Sequence, residues 1–432
     1  MNSIGSGRSY VLPLAFAMTV SMWAAAYVCR LPAVMAPSWL VLGLMLAMVA
    51  VWGWIAGSRT GNGWLAGVVV GVVAAIVNML ILGSILASAD GGGVVPSALW
   101  WVPGSILVMA LVSGGFAAAP GRRVDQIADP AEWTALFSKV AVAATFLLVV
   151  AGGLVTSNEA GLAVVDWPNT FGSNLFLFPL ARMTGGIYYE HAHRLFGALV
   201  GLTTIVLAIR LWRRDDRPWL RRLAIVAVVL VILQGLLGGL RVTGGFTLST
   251  SETDMAPSIA LAVLHGVLGQ VFLSLMVAIA VVTSRWWRLA PVAEPRSTVG
   301  GDRSIQSWLV ATLVVQLVLG AVQRHLAWGL IIHISLAAVV VMLAVIAGAR
   351  AWGLYHGVWP VQRLGQALIG GVVVQVTLGI AALAVTQGRA VVGSPTTLEV
   401  TITTAHQATG AALLALAVTL LLWTRRLFAV ER

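Results

Sequence analysis

Two stretches, Ala262-Val-Leu-His-Gly-Val-Leu-Gly269 and Thr403-Thr-Ala-His-Gln-Ala-Thr-Gly410, decide how this chain folds. Each sets one histidine in a long apolar run. Each also follows a second matched pair, Leu233-Gln-Gly-Leu-Leu-Gly238 and Val374-Gln-Val-Thr-Leu-Gly379. The histidines keep step, since His193 to His265 is 72 residues and His333 to His406 is 73. A repeat of this kind implies two four-helix units, one after the other and in the same orientation.

The residues around the repeat say what medium it folds in. Residues of the AVILMFWYC set make up 59% of the 432 positions and charged residues 9%, with a mean hydropathy of +0.95. So few charges cannot cover a water-soluble fold, and so apolar a chain is not disordered. A spanning helix needs about 20 largely apolar residues. Such runs fall at about 10–29, 37–57, 64–88, 98–118, 134–155, 191–212, 221–241, 257–283, 306–322, 330–349, 362–384 and 402–424. The first is too long for a signal-peptide core and lacks a clear cleavage site, so it is expected to be retained. The expected fold is an all-α polytopic membrane protein with about twelve transmembrane helices. Two tandem four-helix bundle units are preceded by four extra helices. In residue numbers, 1–120 form the additional domain, 121–133 a cytoplasmic linker, 134–290 the first unit and 291–432 the second.

The net charge of +11 would hint at nucleic acid in a soluble protein. Here it reads as orientation. With the N-terminus inside, 20 of the 26 basic residues lie on the cytoplasmic side, leaving Arg30, Arg182, Arg194, Arg241, Arg324 and Arg389 outside. Both termini are therefore expected in the cytoplasm, with the lipid bilayer as partner and no nucleic acid. Cys29 is the sole cysteine, which excludes internal disulfides and Cys-ligated clusters or zinc. The 46 glycines are expected to serve close helix packing or ligand approach.

Four of the seven histidines, His193, His265, His333 and His406, sit in apolar helices. A single histidine in a membrane helix more often packs than ligates. Four in a repeated pair, all near the outer ends of helices running inward, suit two axial nitrogens on opposite faces of a haem iron. Zinc would want three or four clustered ligands, and a di-iron bundle would want two Glu-x-x-His motifs where this chain has one. His191 faces away from His193. His325 is placed in a short outer loop and His356 in a cytoplasmic one, with packing or solvated roles.

Acidic residues on the outer side are Glu159, Asp166, Glu190, Glu252, Asp254 and Glu399. Glu190 lies one helical turn before His193, so the two share a face if the helix starts early enough. A carboxylate there could relay protons or stabilise positive charge, or merely complement a helix N-terminus. Arg194 and Arg324, close to histidine-bearing helices, are candidates to pair with haem propionates, ahead of Arg241 and Arg389.

The stretch Gly152-Gly-Leu-Val-Thr-Ser-Asn-Glu-Ala-Gly-Leu-Ala-Val-Val-Asp-Trp-Pro168 closely resembles the first outer loop of haem A synthases. Tyr189-Glu-His-Ala-His-Arg-Leu-Phe-Gly197 resembles that family's Glu-x-x-His-Arg segment. The Leu264-His-Gly, Ile332-His-Ile and Ala405-His-Gln segments fall where the family has its other haem histidines, so the likeness covers about residues 134–425. It implies an enzyme of the bacterial cytoplasmic membrane that oxidises a methyl group of haem O to the formyl group of haem A, for haem–copper oxidases. It also implies haem b between His333 and His406, the haem O substrate between His193 and His265, and Glu190 as the loop glutamate acting in the oxidation. An electron donor is required but not named, and haem O synthase or a terminal oxidase are candidate partners. The chain departs from the family in lacking an outer-loop cysteine pair and in its four extra helices, whose Trp52, Trp54, Trp64, Trp100 and Trp101 read as interfacial anchors. A non-catalytic dihaem b-type electron-transfer protein would need the same histidines without Glu190. A transporter fits poorly, because the repeat lies within eight helices and central carboxylates are missing.

Overall fold

The structure is a computed structural model that describes residues 9–61, 63–88, 93–119, 129–243, 258–387 and 394–431. Glu252, Asp254, Arg389 and most of the expected linker lie outside these residues. Among the described residues, twelve helices are long and apolar enough to cross a membrane. They are α1 (Val11–Arg30), α2 (Ser38–Thr60), α3 (Gly63–Leu86), α4 (Ala98–Ala117), α5 (Pro130–Ser157), α6 (Gly185–Arg214), α7 (Pro218–Thr243) and α8 (Ile259–Thr283). After a single turn, α9 (Arg285–Arg288), come α10 (Val299–Leu326), α11 (Leu330–Leu354), α12 (Trp359–Gln387) and α13 (Thr397–Leu427). The protein is thus an all-α polytopic membrane protein.

Local sequence explains where several helices begin. Pro130 and Pro218 open α5 and α7 at the position where a missing N–H costs nothing. Hydroxyl caps start the two repeat-mates: Ser258 accepts from the Leu261 amide at α8, and Thr396 from the Glu399 amide at α13. Several helices run past the apolar windows. The ends are amphipathic and continue as helix until a cap or turn stops them.

Two compact units emerge, one of residues 1–148 and 163–228, the other of 149–162 and 229–432. In the first, α1 packs on α2 and α3, and α4 on α2 and α3. Glycine permits the approach to α4, since a Cβ at either Gly53 or Gly67 would fall on the Ser113 carbonyl. In the second, α10 packs on α11, α11 on α12, α12 on α13, and α13 back on α10, a closed four-helix bundle. Its core includes Leu309, Leu313, Ala344, Leu368, Leu413 and Leu420. α11 and α12 meet so closely that a Cβ at Gly365 would stand 2.6 Å from the Gly348 carbonyl oxygen.

The end of this bundle carries a feature that apolar patterning does not show. Residues 294–296 (β1) pair in parallel with 428–430 (β2). Beside them, buried Asp302 accepts hydrogen bonds from Arg350 and from the Tyr355 hydroxyl. Burial, then the bond to Asp302, pushes the Tyr355 phenol up to about 12.

Candidate functional site

α6 begins at Gly185, earlier than the apolar window, so Glu190 and His193 both lie inside the helix and share a face. Glu190 is 4% exposed. Its Oε1 pairs with the Arg194 guanidinium at 2.7 Å, and its Oε2 accepts from the Val164 amide at 2.9 Å. Arg194 then gathers the loop before the helix. One terminal nitrogen donates to the carbonyls of Asp166 (2.7 Å) and Asn169 (2.9 Å), the other to Val164 (2.9 Å) as well as to Glu190. A haem propionate reaching Arg194 would have to displace one of these acceptors.

The loop is built to be held. Asp166 accepts from the amides of Phe171 and Gly172 at 2.7 and 2.8 Å. Burial opposes ionisation of Asp166, but the Gly172 and Phe171 N–H groups outweigh it and hold the carboxyl below its ordinary value. His191 faces away from His193 as expected, and it is fully buried. Its Nδ1 lies 3.0 Å from the Thr170 hydroxyl and its ring packs on Phe178 at 4.9 Å. It packs rather than being solvated.

His333 and His406 stand on α11 and α13 of the closed bundle. Each ring lies against a glycine of the preceding helix. A Cβ at Gly320 would be 3.2 Å from His333 Cε1, and one at Gly379 3.0 Å from His406 Cε1. His265 repeats the arrangement with Gly238, at 3.2 Å. One turn before each glycine is a glutamine. Gln234 donates to the His265 carbonyl at 3.2 Å and Gln316 to the His333 carbonyl at 3.0 Å. The Gln316 amide nitrogen is 3.1 and 3.3 Å from the two ring nitrogens of His333, which places it over the ring face. Gln375 lies 3.5 Å from His406 Nε2 and is itself bonded by Thr409. Three of the four helix histidines therefore share a Gln-x-x-x-Gly seat. The sequence carries this pattern four times, at 234–238, 316–320, 366–370 and 375–379, and only the first and last stand out in the repeat. The helix before α6 carries no such pattern, because Leu148 and Val149 stand four residues before Gly152 and Gly153.

The histidines are the fourth (His333), seventh (His265), ninth (His193) and tenth (His406) residues of their helices. His325 corrects the loop assignment: α10 continues to Leu326 and carries both His325 and Arg324 in its last turn. Arg324 donates to the Thr156 carbonyl at 2.5 Å. Arg241 packs against Gly161.

The residues of the second unit fit a haem. Two imidazoles stand on helices of one bundle, each ring lies close against a glycine, and the buried His406 Nδ1 has no hydrogen-bond partner among the described residues. No group of three or more His, Cys, Asp or Glu side chains able to hold a metal ion occurs among the described residues.

Comparison with known proteins leads to the same segment. Residues 135–333 match the COX15-CtaA family, described as Cytochrome oxidase assembly protein. The Heme A synthase of Shouchella clausii (strain KSM-K16) is 37% identical over 112 residues, 26% of this chain and 35% of that protein. The Heme A synthase of Halalkalibacterium halodurans is 34% identical over 94 residues, 21% of this chain and 30% of that protein. The chain thus spans about a third of the length of the curated relatives it matches. The family match runs from α5 to His333 and takes in the Glu190–Arg194 clasp with three of the four helix histidines, so this segment of the chain is similar to the COX15-CtaA family of cytochrome oxidase assembly proteins.

Proposed function

We propose that the protein is a haem A synthase, oxidising the methyl group of haem O to the formyl group of haem A. The observation that carries this reading is the buried Glu190 carboxylate, oriented by Arg194 and the Val164 amide one turn before His193. An electron-transfer protein needs histidines but has no use for a carboxylate so fixed.

In this reading His333 and His406 hold haem b, which supplies one-electron redox chemistry when bound. The sequence repeat assigns the haem O substrate to their counterparts, His193 and His265. Glu190 holds a proton or balances positive charge during the oxidation, and Arg194 holds it in place. Arg324 is the proposed propionate partner, while Arg194 serves the loop first. The arginine count puts the site on the outer side, with both termini in the cytoplasm of a bacterium. The product would pass to a haem–copper oxidase.

The test is haem extraction and mass analysis from a host that makes haem O, with and without this protein. Haem A, or a hydroxylated haem O, supports the reading. Bound haem b with no modified haem, under aerobic conditions and a working electron supply, supports the electron-transfer alternative.

A further inference from the structure

The four N-terminal helices lie outside the family match, yet they are not appended loosely. α1 is buried along most of its length. Its aromatic side chains meet α5 at one end and α6 at the other. Tyr10 lies 6.1 Å from Trp133 and Phe16 5.3 Å from Phe137. Trp23 lies 5.7 Å edge-on to Phe196, and Tyr27 5.3 Å from the same ring.

The contact nearest Glu190 is the most specific. Tyr27 and Tyr188 stack with ring planes 9° apart and centroids 5.6 Å apart. The Tyr188 hydroxyl donates to the Tyr27 carbonyl at 2.7 Å. That carbonyl is one of the last four of α1, where the helix itself supplies no dependable donor. In the structure the Leu31 amide turns to Val28 instead. A side chain two residues before Glu190 therefore completes the end of α1.

A second contact reaches the same place through the loop. α3 packs on the 3-10 turn at Leu175–Leu177 and on α6. At Gly83 a Cβ would fall on the Phe176 carbonyl oxygen, so only glycine allows this approach. Phe178, two residues on, packs on His191, the neighbour of Glu190. The turn of α6 that carries Glu190 is thus held by α1 through Tyr188 and by α3 through the loop.

We propose that the N-terminal four helices are a built-in clamp on the site helix, with Tyr27, Tyr188 and Gly83 as positioning residues for Glu190 and the loop it binds. The clamp stands on geometry alone. Its effect on turnover rests on the haem O oxidation reading.

The test uses the full chain in detergent or nanodiscs, as Tyr188→Phe and Gly83→Ala, with Trp100→Leu, an exposed site on α4, as control. Hydrogen exchange is followed at the Val164, Phe171 and Gly172 amides and at amides of α10–α13. The clamp predicts exchange about tenfold faster at the loop amides in both variants, as expected for loss of one stabilising contact, with α10–α13 unchanged. Unchanged loop exchange in both variants overturns it, and so does an equal rise across α10–α13, which would mean general destabilisation. If Gly83→Ala does not fold, Tyr188→Phe, which removes only a hydroxyl, decides alone. Where the wild-type protein oxidises haem O, the variants are expected to lose kcat with KM unchanged. A loosened loop with normal kcat overturns the positioning of Glu190. A wild-type protein that leaves haem O unmodified sinks the functional reading, and the exchange result still decides the clamp.

Discussion

Glu190 and Arg194, four residues apart on α6, form a 2.7 Å ion pair, and together they hold the loop through residues 164, 166 and 169. A surface pair of this spacing would be worth little. Here the carboxylate is buried, and both of its oxygens are engaged, so position rather than stability is the gain.

Glu190→Gln keeps the size of the side chain and removes its charge. Haem A formation should fall by about a hundredfold or more, the usual worth of a positioned acid or base, with haem b retained. Extracted haem from the variant and the parent reads this directly, and normal haem A yield would remove Glu190 from the chemistry.

His333 and His406 are expected to be the axial pair for haem b. Alanine at either should abolish the bis-histidine absorbance and electron paramagnetic resonance signature of the purified protein. A milder probe is Gly379→Ala, whose Cβ would press on the His406 ring at 3.0 Å. Overpacking of this kind typically costs about 1–3 kcal/mol, so haem b occupancy should fall about fivefold or more. Gly104→Ala, where a Cβ meets nothing within 4 Å, should leave occupancy unchanged.

Asp166 gives the loop a defined response to acid. Its folded carboxyl is held below its ordinary value, after burial, by the Gly172 and Phe171 amides. The ionised form is thus the one that stabilises the loop. That contribution is fully present above the unfolded value of about 4 and is lost as pH falls through the folded one. Loop amide protection should be flat from about pH 5 to 8 and decline below about pH 4. Asp166→Asn should abolish this decline.

Asp302 is 2% exposed and accepts from both Arg350 and Tyr355. Replacing it with alanine leaves the Tyr355 hydroxyl without its acceptor and should cost about 1–3 kcal/mol of stability in the second unit. A lowered thermal midpoint is the measurement. An unchanged midpoint would mean that water satisfies both donors.

The membrane class, the number of spans and the histidine pattern are legible in the sequence because bilayer thickness and missing charge act residue by residue. Glu190 and its helix turn are legible too, through spacing and the family resemblance. The length of α10 was not, because its last turn, with Arg324 and His325, is polar and falls outside an apolar window although its backbone continues as helix. Nor was the Gln-x-x-x-Gly seat. Its glutamines and glycines are ordinary residues until the next helix lays a histidine against them. The same holds for Tyr27 and Tyr188, 161 positions apart. Sequence alone determined which segments enter the membrane and which residues could carry chemistry, because those follow from local composition and period. Tertiary structure alone decided which side chains are joined: Arg194 to the loop, Tyr188 to α1, and the glutamines to the histidines. Such contacts depend on helix rotation and close approach, which no local pattern encodes.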